Sequence, residues 1–99
     1  MVIVLGSVEI EEGALEDALI ISQAHVDRSR AEPGCISHGV YIDGENPNRL
    51  VFVEQWEDMD ALQQHFRVPE AGMFVRDLGK YATSDPKLKI YTADEVTRH

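Results

Sequence analysis

The chain predicts a ferredoxin-like α+β sandwich: one four-stranded antiparallel sheet, covered on one face by helices, in the order βαββααβ. Three observations predict it. Short β-branched runs alternate with stretches of helical periodicity, which excludes an all-helical or all-strand chain. The two middle runs are separated only by a turn rich in Asp, Gly, Asn and Pro, so they pair as a hairpin. An apolar strand ending at the only tryptophan then passes straight into a capped helix.

Each element follows in order. Val2 to Ile10 reads as a first strand, with Val2-Ile3-Val4-Leu5 apolar on both faces. Gly13 opens a helix in which Leu15, Ala18, Leu19, Ser22, His25, Val26 and Ser29 recur at three- and four-residue spacing, a stripe that packs on the sheet. Glu32-Pro33-Gly34 stops it. Cys35 to Asp43 is the second strand, Asp43 to Asn48 the turn, and Arg49 to Glu57 the third strand. Asp58 caps a short helix through Phe66. Pro69-Glu70 restarts a helix carrying Phe74, Leu78 and Tyr81 on one stripe, and Ser84-Asp85-Pro86 leads into a last strand, Lys87 to Thr92. The residues after Ala93 are polar and are expected to be loose.

An antiparallel sheet with one wet face alternates apolar with polar residues. Here Val2, Val4 and Val8 alternate with Ile3 and Leu5, and Leu50 and Phe52 with Val51 and Val53. The second face therefore needs a cover, and a second copy of the sheet is the simplest one, giving a homodimer with a barrel-like interface. A length of 99 residues supports one domain, 1–99, with a modest core. The balance of 18 acidic against 9 basic residues argues against nucleic acid or an anionic membrane as partner. A single Cys35 forms no internal disulfide, and with no secretory signal or long apolar span the expected compartment is the cytoplasm. Cys35 reads as a small buried residue rather than a nucleophile.

Trp56 ends the third strand and His65 follows nine positions later on the helix. The pair either lines one cavity between sheet and helix, suited to a small aromatic ligand, or serves as a core anchor with a hydrogen-bonded neighbour. His25 lies on the apolar stripe of the first helix, facing the same cavity or bonded to backbone. His38 shares a strand face with Ile36, Val40 and Ile42, so it enters either the pocket or the dimer interface. Arg76 and Tyr81 either bind a phenolate or lie at the surface. The histidines show no pair at metal-ligand helix spacing, and Glu11-Glu12 and Glu57-Asp58 flank helix starts, where carboxylates suit the dipole. No metal site is expected.

Glu32-Pro33-Gly34-Cys35, the strand Leu50 to Glu57, and Ala61-Leu62-Gln63-Gln64-His65-Phe66 before Pro69 together resemble the antibiotic biosynthesis monooxygenase family, close to its quinol monooxygenase-like members. The resemblance implies a homodimer of the dimeric α/β-barrel type, each subunit holding a pocket between sheet and helices. It also implies oxidation of a quinol or polyphenol by O2 with no metal, flavin or haem. Trp56 matches the family's pocket tryptophan, His65 a histidine common in the quinol-type members, and His38 stands where many relatives carry a tyrosine. The sequence departs from the aromatic-polyketide type at Phe52 and Leu62, which replace a substrate-facing asparagine and tyrosine. The haem-degrading type needs an axial histidine where this chain has Met73, Phe74, Val75 and Arg76, so haem is not expected.

Three functions follow. The first is a cofactor-independent monooxygenase acting on a small quinol- or polyphenol-type aromatic, with Trp56, His65 and His38 as catalytic candidates. Its substrate contacts would come from Phe52, Leu62, Phe66, Phe74, His25, Tyr81 and Arg76. The second is an isomerase, lyase or decarboxylase working by proton transfer on an aromatic or lactone. The third is a non-catalytic dimer that binds a small ligand.

Overall fold

A computed structural model describes residues 1–97. The elements are β1 (Val2–Glu9), α1 (Leu15–Ser29), β2 (Cys35–Asp43), β3 (Asn46–Trp56), α2 (Met59–Arg67), α3 (Pro69–Gly79) and β4 (Lys87–Thr92). The strands form one sheet in the order β2-β3-β1-β4 with every neighbour antiparallel. This is the ferredoxin-like α+β arrangement that the sequence predicts.

Alternation along the strands decides which side chains meet the helices. On β1, Val2, Val4 and Val8 are buried, and on β3 Leu50, Phe52, Glu54 and Trp56 are buried. α1 turns Ala18, Ser22, His25, Val26 and Ser29 toward them. Asp58 caps α2 as expected, its carboxylate accepting from Ala61 N–H at 2.8 Å. The buried apolar side chains form two clusters, one of Val8, Ile10, Ala18, Leu50, Phe52 and Leu78, the other of Val2, Val4, Trp56 and Leu62. Buried polar side chains lie among them, including His25, His38, Glu54 and His65. On the opposite sheet face, Leu5, Tyr41 and Tyr91 are 42%, 58% and 46% exposed, in register with Val53, Val51 and Ile3. That face is apolar and bare.

Several boundaries differ from the sequence reading. β1 ends at Glu9, and Ile10 makes an isolated bridge to Ala82. β3 begins at Asn46 rather than Arg49, because Asp43 accepts from Glu45 N–H and Asn46 from Asn48 N–H, which tightens the turn to Gly44-Glu45. α3 stops at Gly79, so Tyr81 is not helical; its carbonyl instead accepts from Glu11 N–H. Ala93 is tied at the root of the tail by two hydrogen bonds of 2.9 Å with Met1. Residues 94–97 carry no regular element, and the last two residues of the expected tail lie outside the described residues. Among the described residues no helix is long and apolar enough to cross a membrane.

Candidate functional site

Gly6 is the gap that makes the cavity. It sits on the helix-facing side of β1 between Val4 and Val8, in register with Phe52 and Leu88, and its missing side chain leaves space under α3. The cavity is about 270 Å³, with His25, Phe52, Glu54, His65, Phe66 and Phe74 on its walls and Lys87 and Leu88 at the β4 edge. That suits a small aromatic molecule.

Three histidines converge here from α1, β2 and α2. Ring centroids are 5.4 Å apart for His25–His38, 5.4 Å for His25–His65 and 5.8 Å for His38–His65. Hydrogen-bond chemistry fixes two of their protons. Glu32 Oε1 lies 2.8 Å from His65 Nδ1; a carboxylate accepts only, so Nδ1 carries hydrogen and Nε2 is the nitrogen with a free lone pair in the neutral ring. Arg28 Nη2 lies 2.7 Å from His25 Nδ1; a guanidinium donates only, so Nδ1 accepts and Nε2 carries the hydrogen. His25 stays neutral: burial, with the neighbouring His38, His65 and Arg28, lowers its pKa from 6.5 to about 3. Phe74 stacks on that ring at 4.1 Å. Arg28 and Glu32 also pair directly at 3.0 Å, so α1 and the loop after it hold both histidines through one linked network.

Glu54 is a buried carboxylate on β3. Burial works to raise its pKa, yet the His38 ring, the Trp56 N–H and His65 outweigh it and hold the group below its ordinary value. Trp56 Nε1 donates to Glu54 Oε1 at 2.9 Å. His38 Nε2 lies 3.4 Å from the same oxygen without a hydrogen bond, and neither ring nitrogen of His38 has a partner.

The sequence-predicted residues fall into three groups. Phe52, Phe66, Phe74, His25 and His65 line the cavity, and His38 packs behind His25, so it enters the interior rather than the bare sheet face. Trp56 and Leu62 are wholly buried in the second apolar cluster and do not reach the cavity wall; the indole lies 4.7 Å from the His65 ring and its N–H is taken by Glu54. Arg76 is 67% exposed and beside Asp77, while Tyr81 packs at the edge of the first cluster, because the helix ends before it. Cys35 is half-buried, and burial raises its thiol pKa, which disfavours the thiolate. Sequence reasoning missed Glu54, Glu32, Arg28 and Lys87. Glu54 was findable, since strict alternation on β3 puts a carboxylate among Leu50, Phe52 and Trp56 on the buried face.

Compared with known proteins, the model of the antibiotic biosynthesis monooxygenase family matches residues 1–77, which include both histidine-bearing helices and three of the four strands. The chain belongs to that family. An uncharacterized protein of Synechocystis sp. is 32% identical over 95 residues, covering 96% of this chain. The chain spans 65% of that relative's length. A Deinococcus radiodurans structure named for an antibiotic biosynthesis monooxygenase superposes with a TM-score of 0.93 at 22% identity, covering 100% of this chain and 98% of its own. A conserved protein of Methanosarcina mazei gives 0.89 at 24% identity, covering 94% and 92%. Rv0793 of Mycobacterium tuberculosis gives 0.88 at 23%, covering 97% and 98%. At these identities the structures speak for the fold. Domains of the antibiotic biosynthesis monooxygenase family bind small molecules and are commonly dimeric.

Proposed function

We propose that this domain oxidises a small quinol- or polyphenol-type aromatic with O2, using His65 as the base and no bound cofactor, as a homodimer closed over the bare sheet face. The single observation that carries the reading is the Glu32–His65 pair beside an aromatic-walled cavity. Glu32 fixes the tautomer of His65, so Nε2 is the acceptor for a phenol proton. His25 Nε2–H and Lys87 supply hydrogen-bond and charge stabilisation for the resulting anion.

The phenolate passes one electron to O2, and the radical pair combines at a ring carbon as a peroxide. Loss of water leaves a carbonyl: a hydroquinone and O2 give a hydroxyquinone and one water, so one oxygen atom enters the ring and the proton held by His65 leaves with the other. Phe52, Phe66 and Phe74 keep the anion in a largely dry setting, which favours electron transfer over hydration. Trp56, through its hydrogen bond, supports Glu54 from behind the wall.

An oxygen-electrode screen of hydroquinones, catechols and anthrones tests this. Uptake of one O2 per substrate is expected, with turnover rising with pH as the phenol loses its proton, and His65→Ala lowering kcat by roughly 10²-fold or more. Turnover that continues unchanged without oxygen would replace this reading with proton-transfer catalysis. Ligand binding with no turnover at all would leave a binding module.

A further inference from the structure

Three of the chain's four histidines meet at one point, and they come from three different elements: His25 from α1, His38 from β2 and His65 from α2. We propose that they form a binding site for a divalent transition-metal ion of the zinc class, with the fourth coordination position open to the cavity. One ligand nitrogen from each ring lies within 4.8 Å of the other two. A tetrahedral three-histidine site with Zn–N bonds of about 2.0–2.1 Å spaces its donor nitrogens about 3.4 Å apart, so side-chain rotations on the order of 1 Å close it. No spacing in the sequence marks this site, because its residues come from α1, β2 and α2 rather than from one helix.

His38 is the independent sign of a ligand. Its side chain is fully buried; Nδ1 has no hydrogen-bond partner, and Nε2 has only the long 3.4 Å approach to Glu54 Oε1. A buried imidazole left so is costly, and donating a lone pair to a metal removes that cost. The surroundings also suit a cation. Glu32 holds Nδ1–H of His65, the carboxylate–histidine arrangement that orients metal ligands, and Glu54 lies 3.4 Å from His38.

Arg28 opposes the metal. While it donates to His25 Nδ1, the proton of that ring stays on Nε2, the one nitrogen left to bind a metal. Ligation by Nε2 requires the proton to move to Nδ1 and Arg28 to withdraw onto Glu32, which it already binds at 3.0 Å. The site therefore has a built-in competitor. It also competes with the proposed chemistry, because a metal takes the Nε2 lone pair of His65 that base catalysis uses. Occupancy inhibits cofactor-free turnover.

The test uses tag-free, chelator-stripped protein titrated with Zn2+ against a chromophoric chelator, and with Co2+ by visible absorption. One ion per chain is expected, with the intense bands of a tetrahedral Co2+ complex. His38→Gln and His25→Gln, their folding checked by circular dichroism, should each weaken binding about 100-fold, and Arg28→Ala should tighten it roughly tenfold. No saturable binding, or binding untouched in His38→Gln, overturns the site. Turnover that falls in step with Zn2+ occupancy supports both readings. Turnover that instead requires the metal keeps the site but overturns cofactor-free catalysis, and metal-free turnover without any Zn2+ binding overturns the site alone.

Discussion

The absent side chain at position 6 controls what the cavity can hold. A Cβ on Gly6 would meet Leu88 Cδ1 at 3.4 Å and Phe52 Cβ at 3.5 Å, ordinary contacts, so a larger side chain fits the backbone and extends into the cavity. The backbone does not need glycine there, since its φ is not positive. Gly6→Leu should keep or raise the melting temperature, because glycine weakens a strand, while KM for a cavity-bound substrate rises roughly tenfold or more, the loss of about 1.4 kcal/mol of binding. Thermal melts alongside steady-state kinetics check it. An unchanged KM would move the substrate elsewhere. The histidines make the same point about single residues: their roles come from Glu32 and Arg28, which decide the nitrogen that carries each proton.

Between β2 and α2 the chain depends on one joint. Gly34 has φ +84°, and a Cβ there would stand 2.5 Å from Ala61 Cβ on α2. Its carbonyl accepts from Glu57 N–H at 2.8 Å, which ties the start of β2 to the junction of β3 with α2. Gly34→Ala should then cost about 2–4 kcal/mol, combining left-handed strain with overpacking. Urea unfolding measures the loss. Since α2 carries His65 while Glu32 lies just before Gly34, the same change should also lower turnover by displacing one partner from the other. A variant that keeps wild-type stability would show that α2 shifts freely.

Over the whole molecule, acid and self-association are the two levers. His25 has a pKa of about 3 in the fold against 6.5 unfolded, so as pH falls below 6.5 the unfolded chain takes up the proton first. Stability should decline across the window from 6.5 to 3 by up to about 1 kcal/mol per pH unit, less where solvent at the ring edge screens it, and His25 has no effect above that window. Glu54 acts in the same direction lower down: held below 4.5, it contributes stability above that value and loses it as pH falls through its folded pKa. Urea melts from pH 7.5 to 4.5 should show the decline, and His25→Phe, which keeps the stack on Phe74, should flatten it. An equal slope in that variant would exclude His25 as the cause. For association, Leu5, Tyr41 and Tyr91 on the bare face form a patch that a second copy would cover. Light scattering at micromolar concentration should give a dimer mass, and Val53→Asp, in the middle of that face, should give monomer or unfolded chain. A dimer indifferent to the charge would place the contact elsewhere.

The order of elements was legible because each rests on local chemistry: β-branched alternation for the strands, Asp58 for the start of α2, Pro69 for α3 and a polar turn for the hairpin. Apolar residues on both strand faces were likewise readable as a second apolar face on the sheet. Boundaries were missed where side chains close a turn, as at Asp43 and Asn46, or where a tertiary hydrogen bond ends a helix, as at Tyr81. The site was legible only in its parts. His65, His25, His38, Phe52 and Phe74 stand out by type and face, but nothing local shows that residues 13 and 27 positions apart bring their rings within 6 Å, or that Trp56 lies behind the cavity wall. Proton placement is further removed from sequence still. It depends on Glu32 reaching His65 across 33 positions and Arg28 reaching His25 along α1, and only packing of α1 and α2 on one sheet decides those contacts.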